Sequence, residues 1–171
     1  VYAGAQKNMG IPGVTICFAK DEFLIETDNP KYLNLNLLTK SNSVLNTPPT
    51  FSIYVLNLVT NWMLEMGGVD YFQNKSIKQS KEIYDFIDEN SNVLSCNVEK
   101  KYRSKSNIVF NFLKDEQNKK FVDAAKDIGI IGINGHRSVG GIRVSLFNSV
   151  DKDMFKFFMK FFKNYISELS N

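Results

Sequence analysis

The chain has 171 residues, 43% hydrophobic and 23% charged, a composition that excludes general disorder and suits one ordinary domain, or a small domain joined to part of a larger one. Its 21 basic and 18 acidic side chains leave a formal charge of +3 with the signs interleaved. The densest basic run, Lys100-Lys101-Tyr102-Arg103-Ser104-Lys105, is flanked by Glu99 and is too weak a stripe for a nucleic-acid surface.

No apolar run approaches the length of a membrane span, so no membrane partner is expected. Cys17 and Cys96 are far apart and have no metal-ligand spacing. They read as small core fillers in a reducing, cytoplasmic setting. No secretory leader is visible, and a chain opening on Val1 without a methionine reads as processed, trimmed or part of something longer.

In chain order, Val1-Tyr2-Ala3 reads as the end of a buried strand, followed by the small-residue turn Gly4-Ala5-Gln6-Lys7-Asn8. Val14 to Ala19 is β-branched and apolar without alternation, which predicts a well-buried companion strand. Residues 21–46 are polar and asparagine-rich, a loop with one helical turn near the leucines at 33–38. Phe51 to Met66 is the strongest helix. Thr47 is placed to cap it, proline suits its first turn, and Gly67-Gly68 ends it. Its apolar residues cover more than half its circumference, so it needs cover on several sides.

A second helix is expected from Val69 to about Asn90, with Val69, Phe72, Ile83, Phe86 and Ile87 inward. Strands are expected at Val93–Val98 and Ile108–Leu113, then a helix from Asp115 to Ile128 with Phe121, Val122 and Ala125 inward. Two more strands, Ile130–Ile133 and Ile142–Phe147, flank a glycine-rich link. The last helix, Asp151–Leu169, is capped by Asp151 and packs Phe155, Phe158, Met159, Phe162 and Ile166 as core. From residue 68 onward this order predicts an α+β sandwich with helices on one face of a small sheet.

Three segments are candidates for chemistry, and on residue type alone each also reads plainly as structure: a solvated loop lysine, a helix cap with no ligand, and arginines at a domain rim paired with surface acids. Lys7 sits in a turn of small residues, where the backbone can approach a ring and present an amine to an aldehyde cofactor. Asn46 and Thr47 precede a helix whose free N–H groups and dipole suit a phosphate. In Gly135-His136-Arg137-Ser138-Val139-Gly140-Gly141-Ile142-Arg143, two arginines and the only histidine flank a tight turn. Guanidinium forks favour planar anions, so this segment points to a small substrate with two anionic groups.

Gly4-Ala5-Gln6-Lys7-Asn8, Asn46-Thr47-Pro48-Pro49-Thr50-Phe51 and the 135–143 segment together resemble phosphoserine aminotransferases, class V enzymes of fold type I that use pyridoxal 5'-phosphate. The resemblance runs in order along the whole chain and covers the C-terminal half of such an enzyme. It implies an α/β fold: residues 1–50 as the C-terminal part of the large cofactor-binding domain, 51–67 as an interface helix, and 68–171 as the small α+β domain. It implies that Lys7 carries the cofactor covalently and moves the α-proton, with Gln6, Asn46 and Thr47 binding the cofactor. Asn46 and Thr47 would reach its phosphate across a homodimer interface. Arg143 would clamp the α-carboxylate, and His136 and Arg137 the distal phosphate or carboxylate, His136 as anion ligand rather than general base.

The resemblance further implies amino transfer between O-phospho-L-serine or glutamate and the matching keto acids, in serine biosynthesis. Two departures are small: Gly10-Ile11-Pro12-Gly13 moves the usual proline by one place, and Ser106 stands where methionine is common. The aspartate that faces the pyridine nitrogen, the ring-stacking aromatic and the glycine-rich phosphate turn are expected upstream of Val1, in an N-terminal half acting as partner. The alternatives are a non-catalytic C-terminal piece with a structural or dimerisation role, or another class V aminotransferase.

Overall fold

The structure, a computed structural model, describes residues 1–169 and divides into two compact units, Val1–Met66 and Gly67 onward. In the first, β1 (Tyr2–Gly4) and β2 (Thr15–Cys17) pair antiparallel, with Ala3 opposite Ile16. The pairing matches the expected companionship of these segments, but the expected burial is absent. Ile16 is half-buried, and Tyr2 and Cys17 are exposed, because no other described element covers this two-stranded ribbon. Cys17, expected in a core, is exposed within this unit; Cys96 is half-buried, and both thiols are free.

The loop expected at 21–46 contains short 3-10 turns at Asp21–Phe23 and Lys31–Leu33 and one helix, α1 (Leu35–Lys40). Asn34 caps α1: its Oδ1 accepts from Leu37 N–H at 3.0 Å, while its amide donates to the Thr27 carbonyl. This satisfied side chain is one of only two buried residues of the unit, with Ala5.

The long helix α2 runs Thr50–Glu65. Thr47 does not cap it. Pro48 and Pro49 lie between, Pro49 takes the capping position, and no side chain bonds the first free N–H groups. Neither Pro48 nor Pro49 has an N–H to offer Thr47, and the Thr50 N–H, three residues on, is taken by the Pro48 carbonyl at 2.8 Å. No residue of α2 is buried; Phe51 and Leu64 are about 70% exposed.

The second unit opens with α3 (Gly68–Glu89), which buries Phe72, Ile83, Tyr84 and Ile87, with Phe86 half-buried. Val69, expected inward, is exposed in the first turn. Four antiparallel strands follow, β3 (Leu94–Ser95), β4 (Asn107–Phe112), β5 (Asn134–His136) and β6 (Gly140–Ser145), in the spatial order β3-β4-β6-β5. Between them lies α4 (Glu116–Asp127), and α5 (Lys152–Leu169) closes the described chain.

Two strand expectations change. The strand predicted over Val93–Val98 shortens to two residues, because the Val98 carbonyl accepts from Arg103 Nε instead of pairing with a strand. The strand predicted over Ile130–Ile133 is absent, and β5 forms at Asn134–His136, within the segment expected to be a link. Gly129 and Gly132 lie at φ +87° and +79°, which interrupts extended backbone on both sides of Ile130-Ile131.

The remaining pattern matches expectation. Ile108, Phe110 and Phe112 alternate inward on β4, as do Ile142 and Val144 on β6. They meet all five predicted core residues of α5 and the buried Phe121 and Ala125 of α4. Phe162 stacks on Phe110 with ring centres 5.0 Å apart and meets Phe86 edge-on at 4.9 Å. Asp151 caps α5 through Oδ1, which accepts from Asp153 and Met154 N–H at 2.9 and 2.8 Å.

Candidate active site

In the first unit, Lys7 lies in the loop that joins β1 to β2. The strand pairing continues one step beyond the sheet, as Ala5 N–H donates to the Val14 carbonyl at 2.9 Å, and Ala5 itself is buried. Lys7 N–H then turns back on the Ala5 carbonyl at 2.8 Å, which lifts the lysine off an anchored base into an exposed position. Gln6 folds its side-chain amide over Gly4, where a Cβ would collide with it. The far side of the loop is tied to α2: Ser52 Oγ donates to the Pro12 carbonyl at 2.9 Å. A Cβ on Gly10 would sit 3.6 Å from the Leu56 backbone, so the loop lies against that helix.

Asn46 and Thr47 are exposed just before α2, and neither spends its side chain on capping. An uncapped helix start next to an exposed amide and hydroxyl is a donor set suited to phosphate. An amine on an anchored loop suits the aldehyde of pyridoxal phosphate, and the exposed donors at the start of α2 suit a phosphate, that of a partner subunit's cofactor included, so the residues present fit the group.

In the second unit, His136 ends β5 opposite Gly140, and Arg143 stands three residues further along β6, roughly 10 Å at strand rise. Gly141 makes this packing possible. It sits at φ +71°, and a Cβ there would meet the Asn111 side chain and lie 2.9 Å from the Phe110 carbonyl. Arg143 lies opposite Val109 on β4, and its N–H donates to the Ile133 carbonyl at 2.8 Å.

Arg143 and Arg103 divide two roles between them. Arg103 forks both terminal nitrogens onto Asp88 at 2.9 and 2.8 Å and lies over the Tyr84 ring at 4.8 Å. That hydrogen-bonded guanidinium holds the Asp88 carboxyl down at about 2. Arg103 is thus a satisfied structural arginine. Arg143, by contrast, buries its Nε without any hydrogen-bond partner. A buried unpaired donor on a cation is costly, so the fold leaves this guanidinium unsatisfied where it satisfies that of Arg103. His136 and Arg137 are exposed at the turn.

Residues 1–156 match the family model described as aminotransferase class-V. The chain belongs to the class-V aminotransferases. It is 40% identical to a phosphoserine aminotransferase of Shouchella clausii (strain KSM-K16) over 98% of its own length and 48% of that protein's. The phosphoserine aminotransferase of Bacillus circulans subsp. alkalophilus superposes with a TM-score of 0.93 at 37% identity, covering 98% of this chain and 47% of the other. The pyridoxal-phosphate-bound enzyme of Trichomonas vaginalis gives 0.87 at 29% identity, covering 95% and 47%. This class-V aminotransferase chain therefore spans about half the length of the curated relatives it matches.

Two residues that bond to the candidate segments, Ser52 to Pro12 and Ser138 to His136, escaped the sequence reading. Ser52 reads as one polar position in an apolar helix, and nothing local marks its bond to Pro12. Ser138 carries a weak signal: a hydroxyl two residues after a histidine in a glycine-rich turn favours a local side-chain bond.

Proposed function

We propose that this chain acts as part of a pyridoxal-phosphate-dependent phosphoserine aminotransferase. In the proposed reaction an amino group passes between O-phospho-L-serine or glutamate and 3-phosphohydroxypyruvate or 2-oxoglutarate, a step of serine biosynthesis. The observation that carries the reading is the likeness to phosphoserine aminotransferases along 98% of the chain, at 40% identity in sequence and a TM-score of 0.93 in structure. When bound, the cofactor supplies an aldehyde that captures the amino group and a ring that draws electron density from the substrate's Cα.

The chain's own residues divide the remaining work. Lys7 Nζ holds the cofactor between turnovers and removes the substrate's α-proton. Gln6 orients the cofactor beside Lys7, and Asn46 and Thr47 at the open start of α2 bind the phosphate of the cofactor held by the partner subunit of a homodimer. Arg143 takes the α-carboxylate through its guanidinium fork. His136 and Arg137 take the second anion, phosphate or carboxylate, so one set of residues serves both amino acids.

The exposed apolar residues of α2 support a homodimer in which this helix is an interface element, and an N-terminal half of the same protein as the other partner. The two free cysteines support a cytoplasmic setting. Among the described residues no helix is long and apolar enough to cross a membrane.

Borohydride reduction of the cofactor-loaded protein followed by peptide mapping tests the reading. The expected adduct is on Lys7; label on Lys20 or Lys40 instead would overturn the assignment.

A further inference from the structure

We infer that Ser138 is a positioning residue that locks His136 as the tautomer protonated at Nε2, so that the ring presents a hydrogen-bond donor to the distal anion of the substrate. The inference rests on the anion-binding role proposed above for His136. Its geometry is independent of that role.

The ring nitrogen Nδ1 of His136 lies 2.8 Å from Ser138 Oγ and receives the Ser138 backbone N–H at 3.3 Å. A main-chain N–H can only donate. A hydrogen on Nδ1 would point at the amide hydrogen, so Nδ1 offers its lone pair, and the hydroxyl donates into the same lone pair. The single proton of the neutral ring is then left on Nε2.

The backbone makes this arrangement local and rigid. Val139 N–H returns to the His136 carbonyl at 3.0 Å, closing a turn over residues 136–139. His136 itself is held in register by its pairing with Gly140. A ring fixed as the opposite tautomer would present an unprotonated Nε2, a lone pair facing a phosphate or carboxylate oxygen. The same histidine would then repel the ligand it is placed to bind.

Ring nitrogen NMR on the protein labelled at histidine tests the lock directly, with signals assigned to His136 by their loss in H136Q. In the pH range where imidazole is neutral, the wild-type protein is expected to show pyridine-like Nδ1 and pyrrole-like Nε2 resonances from one tautomer. S138A keeps the backbone N–H at 3.3 Å but loses the hydroxyl at 2.8 Å, so it is expected to move both part-way toward a mixture, and S138T, which keeps both donors, to restore them. With phosphoserine as substrate, S138A should raise KM roughly three- to tenfold, the range for one lost hydrogen bond, with the loss falling on KM rather than kcat and recovered in S138T.

A tautomer mixture or a protonated Nδ1 in the wild type overturns the inference, as does a ring spectrum unmoved by S138A. If the spectra behave as expected but H136Q leaves the KM for phosphoserine unchanged, the lock exists and the anion role of His136 is what fails.

Discussion

Ser52 and Pro12, forty positions apart, are joined by a 2.9 Å hydrogen bond from the Ser52 hydroxyl to the Pro12 carbonyl. The bond ties the start of α2 to the loop that carries Lys7, and Gly13 shares the contact. Gly13 lies at φ +115°, and a Cβ there would stand 2.8 Å from Ser52 Oγ. Ser52→Ala should loosen the loop by about 0.5–1.5 kcal/mol. Gly13→Ala should cost about 1–2 kcal/mol more, from strain in the left-handed region. The double variant should cost less than the sum, because removing the hydroxyl makes room for the new methyl. Amide hydrogen exchange over residues 5–14, read with urea melts, measures all three.

Arg143 and Arg137 should separate by substrate end. Arg143→Ala should depress kcat/KM for phosphoserine and glutamate alike, since both present an α-carboxylate. Losing one partner of a buried charged hydrogen bond costs roughly 2–5 kcal/mol, which is about thirty-fold to a few thousand-fold. Arg137→Ala should fall harder on phosphoserine than on a substrate without a distal anion. Steady-state kinetics with both amino acids and with alanine as the truncated comparison decide it. Equal kinetics for Arg143→Ala and wild type would show that the carboxylate binds elsewhere.

The Asp88–Arg103 pair should give the small unit a defined acid limb. Arg103 bonding holds the folded carboxyl at about 2, below its ordinary 3.8. The unfolded chain therefore binds the proton more readily, and the pair's stabilisation is complete above about pH 5 and fades as pH falls from 4 toward 2. Asp88 is one-third exposed, so solvent screening reduces the contribution to about 1 kcal/mol. Urea melts at pH 7, 4 and 3 should show Asp88→Asn less stable at pH 7 and flatter below pH 4. Arg103→Lys should also lose stability, because an ammonium cannot reproduce the two-pronged bond.

Phe162 is the central ring of the second unit, fully buried among Phe86, Phe110, Phe121 and Phe158. Phe162→Ala should cost about 3–5 kcal/mol, and Phe162→Leu less because it keeps more of the volume. Chemical denaturation gives the values. A loss below 1 kcal/mol for the alanine variant would mean that the surrounding rings collapse into the space.

Periodicity and punctuation made most of the second unit legible from its residues. The phenylalanine stripe of α5, the inward face of α4 and the Asp151 cap are local patterns, because a helix sets its buried face and its first free N–H groups within a few residues. Lys7, Asn46, Thr47 and the 135–143 segment were legible as candidates for the same reason: each is a short run whose residue types suit one chemistry.

Tertiary structure decided what depends on distant partners or on backbone that composition does not declare. Thr47 lost its cap to the two prolines after it, β5 moved past Gly132 because left-handed glycines interrupted the apolar run before it, and Cys17 lies exposed on a ribbon that no other described element of its unit covers. Arg103 and Arg143 are the same residue type, and only the fold separates them. Asp88 comes from another element to satisfy Arg103, whereas Nε of Arg143 is buried with nothing to meet it. A side chain's chemistry is set by sequence, but the free energy of using it is set by which groups the fold brings within bonding distance.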